Sequence, residues 1–517
     1  MSESASTGES RAGKREWIGL AVLAFPCFLL AVDFTVLHLA VPKITADLAP
    51  SSTQLLWIVD IYGFFIASSL ITMGTLGDRI GRRKLLMFGG AAFGAASAVA
   101  AFADTASTLI ITRALLGVAG ATLMPSTMAL IRNMFHDPDQ RRIAIAIWIN
   151  CFVVGGAIGP LLGGVMLEHF WWGSVFLLNV PVMVTLLILA PILLPEFKDP
   201  NSAKLDILSA GLSLLAILSV IYGIKRMAQD GIGAISIASI TVGLVLGTIF
   251  VFRQRRLTHP LIDLELFKVP AFSAAVGTQL IATITFGGLY LLVSQYLQLV
   301  VALSPLHAGM ALLPATVAGT LGTIAAPLLV RRIAVGYVMP AGMILSTIGM
   351  VLIALMNASS GVGLLVAAYI VMSFGVNVAM TLTTDTIMSV APPERAGAAS
   401  GISETAAELG AALGIALLGS VSTAYYRSAM GTGMPSTIPS GIAADARATI
   451  GGAIVSATTL GGNSGAQLAE VAREAFTASL SIVAVISAVL VLVTSLITIG
   501  VLKQSYRPTP FRDSTSS

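Results

Sequence analysis

The sequence predicts an all-α membrane protein with fourteen transmembrane helices. Composition and patterning carry that expectation. Of 517 residues, 56% are hydrophobic and 10% charged, and the mean hydropathy is +0.91; a soluble chain carries about 25% charge to cover its surface. The apolar residues gather in windows of about 20, the length a helix needs to cross a bilayer. Alternating segments of about ten residues, the mark of a β-barrel, are not seen.

The elements follow in order. Residues 1–16 are rich in Ser, Gly and charge and read as a cytoplasmic tail. The run 17–41 is too long for a signal-peptide core and no small-residue cleavage site follows it, so it is an uncleaved first span. Runs at 54–76, 85–103, 107–131, 142–166 and 172–194 complete a first set of six within 17–194. Two more, 205–225 and 234–252, occupy 195–270. A last set, 273–300, 307–330, 337–356, 361–390, 402–425 and 478–502, fills 271–502, and 503–517 is a second cytoplasmic tail. The outer segment 428–477 opens with Gly, Ser, Pro and Thr, and Gln467–Phe476 then has amphipathic helical spacing. It reads as a solvated connector, with a short surface helix or hairpin as the alternative.

Charge orients the spans. With both termini cytoplasmic, 22 of the 29 Lys and Arg residues fall inside. Lys43, Lys225, Arg226, Arg427, Arg447 and Arg473 fall outside, and Arg113 lies within a span. That asymmetry is the positive-inside pattern. The net charge of +4 comes from loops, and no basic stripe is interleaved with aromatics, so no nucleic-acid partner is expected. Cys27 and Cys151 both fall in spans, which argues against a structural disulfide.

A weak repeat runs through the chain. Gly155–Gly164 in the fifth span is echoed by Gly410–Gly419 in the thirteenth. Arg141 and Arg142 precede the first string and Arg395 the second; Arg79–Arg83 are echoed by Arg331 and Arg332. These echoes set spans 1–6 and 9–14 in register and leave 7 and 8 as an inserted pair, a 6+2+6 plan. Repeated halves with a substrate site between them are a common transporter design.

Ionisable residues inside spans mark the candidate site. A carboxylate there costs roughly 2.5–3.5 kcal/mol on the insertion scale and signals an ion or proton pathway by default. Asp33 lies about 14 Å, Arg113 about 10 Å and Asp60 about 9 Å below the outer ends of their spans, at 1.5 Å per residue. All three are therefore expected at one level of the first bundle, with Arg113 as the partner of Asp33. A purely structural buried pair is the competing reading. Glu404 and Glu408 share one face of span thirteen; Glu408 is expected to reach a central cavity, and Glu404 either does so or is interfacial. Asp385 and His38 are secondary candidates, His38 as a proton relay or as an interfacial residue. Trp57, Tyr62, Trp148, Tyr290 and Tyr296 offer faces for a cation, while Trp57, Trp171 and Trp172 also suit an interfacial belt.

The turn after the second span reads Gly74-Thr75-Leu76-Gly77-Asp78-Arg79-Ile80-Gly81-Arg82-Arg83-Lys84. Its glycines suit a tight turn, and Asp78 suits an arginine partner, giving a charge latch on the inner face. This segment resembles the major facilitator superfamily. Arg113 and Gly117 fit an R-x-x-x-G element of that family, with Leu116 where many members carry glutamine. Gly155, Gly159, Pro160, Gly163 and Gly164 fit the G-x-x-x-G-P-x-x-G-G element of its antiporters, in which glycines permit close helix packing and proline favours a bend. The first span, Asp33-Phe34-Thr35-Val36-Leu37-His38-Leu39-Ala40-Val41-Pro42, resembles the D-x-T-V-x-x-x-A-x-P signature of the fourteen-span drug:proton antiporters; Leu56–Tyr62 and Trp172–Pro181 resemble the same group. The likeness runs from Trp17 to Leu502.

That resemblance implies a major facilitator fold of two pseudo-symmetric six-helix bundles in a bacterial cytoplasmic (inner) membrane. It implies proton-coupled efflux of lipophilic organic cations: quaternary ammonium compounds, cationic dyes, biocides and methyl viologen. An acidic pair in span thirteen also occurs in that group, which favours Glu408. That group includes a member with a further acid in span ten, where this chain has Val317-Ala318-Gly319-Thr320, a departure that bears on divalent cations. The expected cycle has proton and cation compete for Asp33, with the Asp78/Arg79 turn securing an outward-open state. The expected partners are cationic small molecules, protons and the bilayer, for a monomer without cofactor or metal that runs on the proton gradient. A sugar or organic-acid symporter would need amide clusters or basic residues in its spans. An enzyme or receptor would need a nucleotide loop, a metal cluster, a nucleophile–base pair or a soluble domain.

Overall fold

The computed structural model describes residues 12–198, 206–257, 260–357, 361–392, 395–434 and 438–505; most of both predicted tails lies outside them. Regular structure among these residues is helical throughout. The first bundle comprises α1 (Lys14–Leu48), α2 (Ser52–Ile80), α3 (Arg82–Ala101), α4 (Ala106–Met134), α5 (Pro138–His169) and a sixth span made of α6 (Ser174–Leu177) and α7 (Asn179–Leu193). The inserted pair is α8 (Ile207–Asp230) and α9 (Ala234–Gln254). The second bundle comprises α10 (Pro270–Gln295, prolonged by a π turn over Tyr296–Val300), α11 (Pro305–Leu329), α12 (Val335–Ala354), α13 (Val362–Val390), α14 (Ala396–Gly433) and α17 (Gly462–Ser505), with short helices α15 (Ser440–Ala448) and α16 (Ile450–Leu460) before the last.

Thirteen of the described helical spans are long and apolar enough to cross a bilayer, and the bent helix α5 brings the number to fourteen. Each predicted span overlaps one of them. Local chemistry sets the breaks between them. Ser51 caps α2 in a reciprocal pair of bonds with Gln54, at 3.2 and 3.0 Å, which satisfies two otherwise orphan amide donors. Pro305 opens α11 behind the N-cap Ser304, where its missing N–H costs nothing. The 42° bend of α5 falls between Gly156 and Ile158; Pro160 has no N–H to donate to the Gly156 carbonyl.

The two bundles use the same pairings. In the first, α1 packs on α5 and α7, and α4 on α2 and α3, with α3 on α7. In the second, α10 packs on α14 and α17, and α13 on α11 and α12, with α12 on α17. The glycine strings explain the corresponding α1–α5 and α10–α14 contacts. A Cβ at Gly163 would meet Val36 at 2.8 Å, and one at Gly288 would meet the Gly414 carbonyl at 2.8 Å. Only residues without a Cβ let these backbones approach so closely.

Helix α8 lies over the seam between the bundles, touching α2 on one side and α14 on the other. Its Ile221 is sealed against Phe64 from the first bundle and Ala412 and Ala416 from the second. The outer faces of α8 and α9 expose Leu208, Leu215, Ile237 and Leu244, as suits contact with lipid chains.

The segment 428–477 is not a solvated connector. Helix α14 continues to Gly433, and α15 and α16 form a hairpin whose Ala446, Ile450 and Ala453 are buried. The Tyr426 hydroxyl donates to the Ala446 carbonyl at 3.0 Å. The amphipathic stretch 467–476 belongs to α17, which already begins at Gly462 and buries Leu468 and Ala472. Small residues (Gly, Ala, Ser, Thr) make up most of this region, so its buried face gives a weak hydropathy signal.

Candidate functional site

A cavity of about 340 Å³ lies between the two bundles. Phe34, Tyr62 and Phe152 line it from the first bundle, and Phe286, Tyr290 and Tyr369 from the second. Glu408 of α14 is the one charged side chain among its lining residues. No basic residue pairs with Glu408 among the described residues. Gly319 and Thr320 of α11, from the uncharged stretch 317–320, also line the cavity.

Asp33 sits behind this lining rather than in it. Its Oδ2 accepts from Arg113 Nη1 at 2.8 Å and its Oδ1 from Asn179 Nδ2 at 3.3 Å. Both members of the ion pair are buried, at 1% exposure for the arginine side chain and 3% for the aspartate. Arg113 also donates from Nε to the Ile58 carbonyl, and its guanidinium lies 4.3 Å from the centre of the Tyr62 ring. Tyr62 faces the cavity, so one aromatic ring separates the buried pair from it.

The expected third member of this group, Asp60, belongs elsewhere. Its carboxylate grips the Lys225 ammonium at 2.8 and 2.9 Å, and neither side chain is exposed at all. Lys225 also lies 3.6 Å from the centre of the Trp57 ring. The sequence reading placed Lys225 in an outer loop, but α8 continues past it to Asp230 and ends at Gly231, with φ +81°. Asp60 shares a level with Arg113 but faces α8 instead of α1.

Glu404 is half-buried one turn from Glu408 and does not line the cavity; the basic charge that reaches it is Arg132 of α4. Asp385 is exposed on α13, also away from the cavity. His38 is 1% exposed, with Nδ1 2.7 Å from the Phe34 carbonyl and its ring edge-on to Tyr290 of α10 at 4.9 Å. It therefore faces the second bundle, whereas Asp33 faces α4 and α7. Of the other aromatic candidates, Trp148 is tied to Thr127 and Tyr296 to the Asn357 carbonyl, both outside the cavity.

The charged turn is a single-residue break. Gly81 joins α2 to α3 at φ +116°, and a Cβ there would lie 2.5 Å from Glu196 Oε1. Asp78 pairs with Arg82, at 2.6 Å to Nη2 and 2.8 Å to Nε. The arginine partner expected for Asp78 is thus Arg82, and the neighbouring Arg79 is exposed. Gly77 admits the Arg82 side chain, and a Cβ on Gly74 would touch Pro125. Arg83 donates to the Leu194 carbonyl at 2.9 Å and its backbone N–H to Glu196 at 3.0 Å. These contacts tie α2, α3, α4 and the end of α7 together.

At the end remote from this turn the bundles meet directly. The Ser294 hydroxyl donates to the His38 carbonyl at 3.1 Å. A Cβ on Gly164 would lie 2.7 Å from the Cα of Leu306, and one on Gly419 would lie 2.6 Å from Leu56. Pro160 packs its carbonyl on Gly309. Gly155 and Gly159 hold the same helix α5 against Phe28 and Thr35 of α1.

The profile of the Major Facilitator Superfamily matches residues 23–415. The chain belongs to that superfamily. It is 44% identical over 487 residues to the multidrug efflux pump LfrA of Mycolicibacterium smegmatis, covering 93% of this chain and 95% of that one. It is 36% identical to the methyl viologen resistance protein SmvA of Salmonella typhimurium, covering 89% and 93%. It is 31% identical to the tetracenomycin C resistance and export protein of Streptomyces glaucescens, covering 93% and 90%. Among solved structures, a bacterial homolog of the human lysosomal transporter Spinster superposes with a TM-score of 0.65 at 16% identity, over 95% of this chain and 99% of that one.

This facilitator is thus a transporter and not an enzyme. Sequence reasoning singled out Asp33, Arg113 and Glu408 as candidates, and did not single out Lys225, Asn179 and Glu196. Asn179 lies in the short stretch before Pro181, and Glu196 lies beyond the last apolar residue of its span; neither is ionisable inside an apolar run. Lys225 did carry a signal, since the mostly apolar stretch from Ile217 to Ile224 runs directly up to it with Gly223 as its one break.

Proposed function

We propose that this facilitator exports lipophilic organic cations in exchange for protons, with quaternary ammonium compounds, cationic dyes, biocides and methyl viologen as substrates. The observation that carries this reading is Glu408. A lone carboxylate in an aromatic and apolar cavity needs a positive partner, and the protein supplies none among its described residues. A proton satisfies it, or an organic cation whose remaining charge rests on ring faces. Both cannot occupy it, and that competition couples the two fluxes. The multidrug efflux pump and the export protein among the relatives support drug export as the direction.

Asp33 is the second carboxylate of the cycle. Arg113 already neutralises it, so protonating Asp33 frees Arg113, which bears on Tyr62 in the cavity wall. One proton per monovalent cation moves no net charge; a second would add about 2.3 kcal/mol per 100 mV of membrane potential. The basic end of the bundle is taken as cytoplasmic, with both termini there, in a bacterial inner membrane. The closure at the opposite end then makes this the state that loads from the cytoplasm. The monomer needs no cofactor beyond the proton gradient.

Efflux of ethidium or methyl viologen from energised cells tests the proposal. Wild-type export should stop when an uncoupler is added, and Glu408→Gln should abolish it. Uncoupler-sensitive export at the wild-type rate in Glu408→Gln would remove Glu408 from the mechanism.

A further inference from the structure

One wall of the cavity carries more polar groups than the protein satisfies. Phe286, Tyr290 and Tyr369 form a triangle of rings with centroids 6.2 to 6.5 Å apart. Their planes are within 18°, 19° and 31° of one another, so the three present one common orientation. Tyr290 and Tyr369 are buried, and neither hydroxyl has a hydrogen-bond partner among the described residues. Edge-on to Tyr290, the imidazole of His38 uses Nδ1–H on the Phe34 carbonyl, which leaves Nε2 as an acceptor, also without a partner among the described residues. Three neighbouring rings on α1, α10 and α13 therefore hold two free donors and one free acceptor.

Each such group is costly to bury unpaired, and packing alone does not call for it. Phe286 fills the corner of the same triangle with a ring that carries no hydroxyl, and phenylalanine would serve equally at the other two corners if only stacking mattered. Both tyrosines line the cavity that holds Glu408. At about 340 Å³ the cavity accommodates a small polycyclic molecule.

We propose that Tyr290 and Tyr369 form a hydrogen-bonding subsite that favours planar aromatic cations bearing amino or hydroxyl groups over cations that lack them. This rests on the cation-export reading and adds a basis for selection among its substrates. The planar ring system lies along the commonly oriented wall. The phenolic oxygens lie sealed just behind that wall, so the ring substituents meet them once the two side chains turn toward the ligand, and its positive charge is set against Glu408. An alkyl or tetraphenyl onium ion still gains the carboxylate and the ring faces but leaves the hydroxyls unpaired.

The test compares ethidium, with two aryl amino groups, and its phenanthridinium analogue lacking both. Initial export rates over a range of concentrations are measured in cells or proteoliposomes with the wild type, Tyr369→Phe and Tyr290→Phe. The preference for ethidium, taken as the ratio of the two transport efficiencies, should fall about fivefold in either variant, the effect of one lost hydrogen bond. Impaired folding or expression scales both substrates together and leaves that ratio unmoved. An unchanged ratio in both variants overturns the subsite, including the case in which the hydroxyls pair internally with His38. A wild type that exports neither compound would instead overturn the cation-export reading itself.

Discussion

Lys225 of the inserted helix α8 closes on Asp60 of the first bundle, Nζ to Oδ2 at 2.8 Å, with both side chains wholly sealed. The contact on the other side of α8 is apolar and built on small residues, Ala412 and Ala416. The inserted pair is therefore tied by charge to one bundle and merely packed against the other.

Removing one partner strands a buried charge. Lys225→Met should destabilise the protein by about 3–5 kcal/mol, whereas the double change Asp60→Leu with Lys225→Met should recover most of that loss. Thermal unfolding of the detergent-purified protein reads both. Equal destabilisation by the single and the double variant would mean that the pair acts through shape alone.

The buried pair Asp33–Arg113 should behave differently in folding and in transport. Arg113→Gln leaves a carboxylate with only Asn179, so its folded yield should fall well below that of Asp33→Asn. Asp33→Asn keeps the hydrogen-bonding shape and should fold, yet lose transport by tenfold or more, on the order of the effect of a displaced functional group. Fluorescence-detected gel filtration gives the yield and dye efflux the activity. Near-wild-type efflux in a well-folded Asp33→Asn would leave the pair a structural role only.

Close packing of α5 on α1 gives a third expectation. A methyl group at Gly159 collides with Thr35, whose hydroxyl is held on the Ala31 and Val32 carbonyls at 3.2 and 3.1 Å. Gly159→Ala should cost about 1–3 kcal/mol, the usual penalty for overpacking. Thr35→Ala in the same chain should relieve part of it, seen as a rise in melting temperature. No relief would place the strain on the Val32 backbone.

The fold was legible because each bilayer-length run becomes a helix, and the bilayer permits little else. The glycine echoes at 155–164 and 410–419 were legible for a physical reason too: both serve the same contact, α5 on α1 and α14 on α10. The partner of Asp33 could be read from depth, since rise per residue is fixed. Depth does not give azimuth, however, and Asp60 at the same level turns to α8. The hairpin of α15 and α16 was hidden because its buried face is made of Ala, Gly and Ser, which carry little hydropathy. The cavity's second-bundle wall, Phe286 and Tyr369, was hidden because apolar and aromatic residues in a span look alike whether they face lipid, a neighbour or a cavity.

In the proposed cycle a proton and an organic cation compete for Glu408. Proton release on adding substrate to purified, weakly buffered protein tests it most directly. Wild-type protein should release protons in step with cation binding, and Glu408→Gln should release markedly fewer while remaining folded. Cation binding to the wild type with no proton release, or undiminished release from Glu408→Gln, would contradict the account.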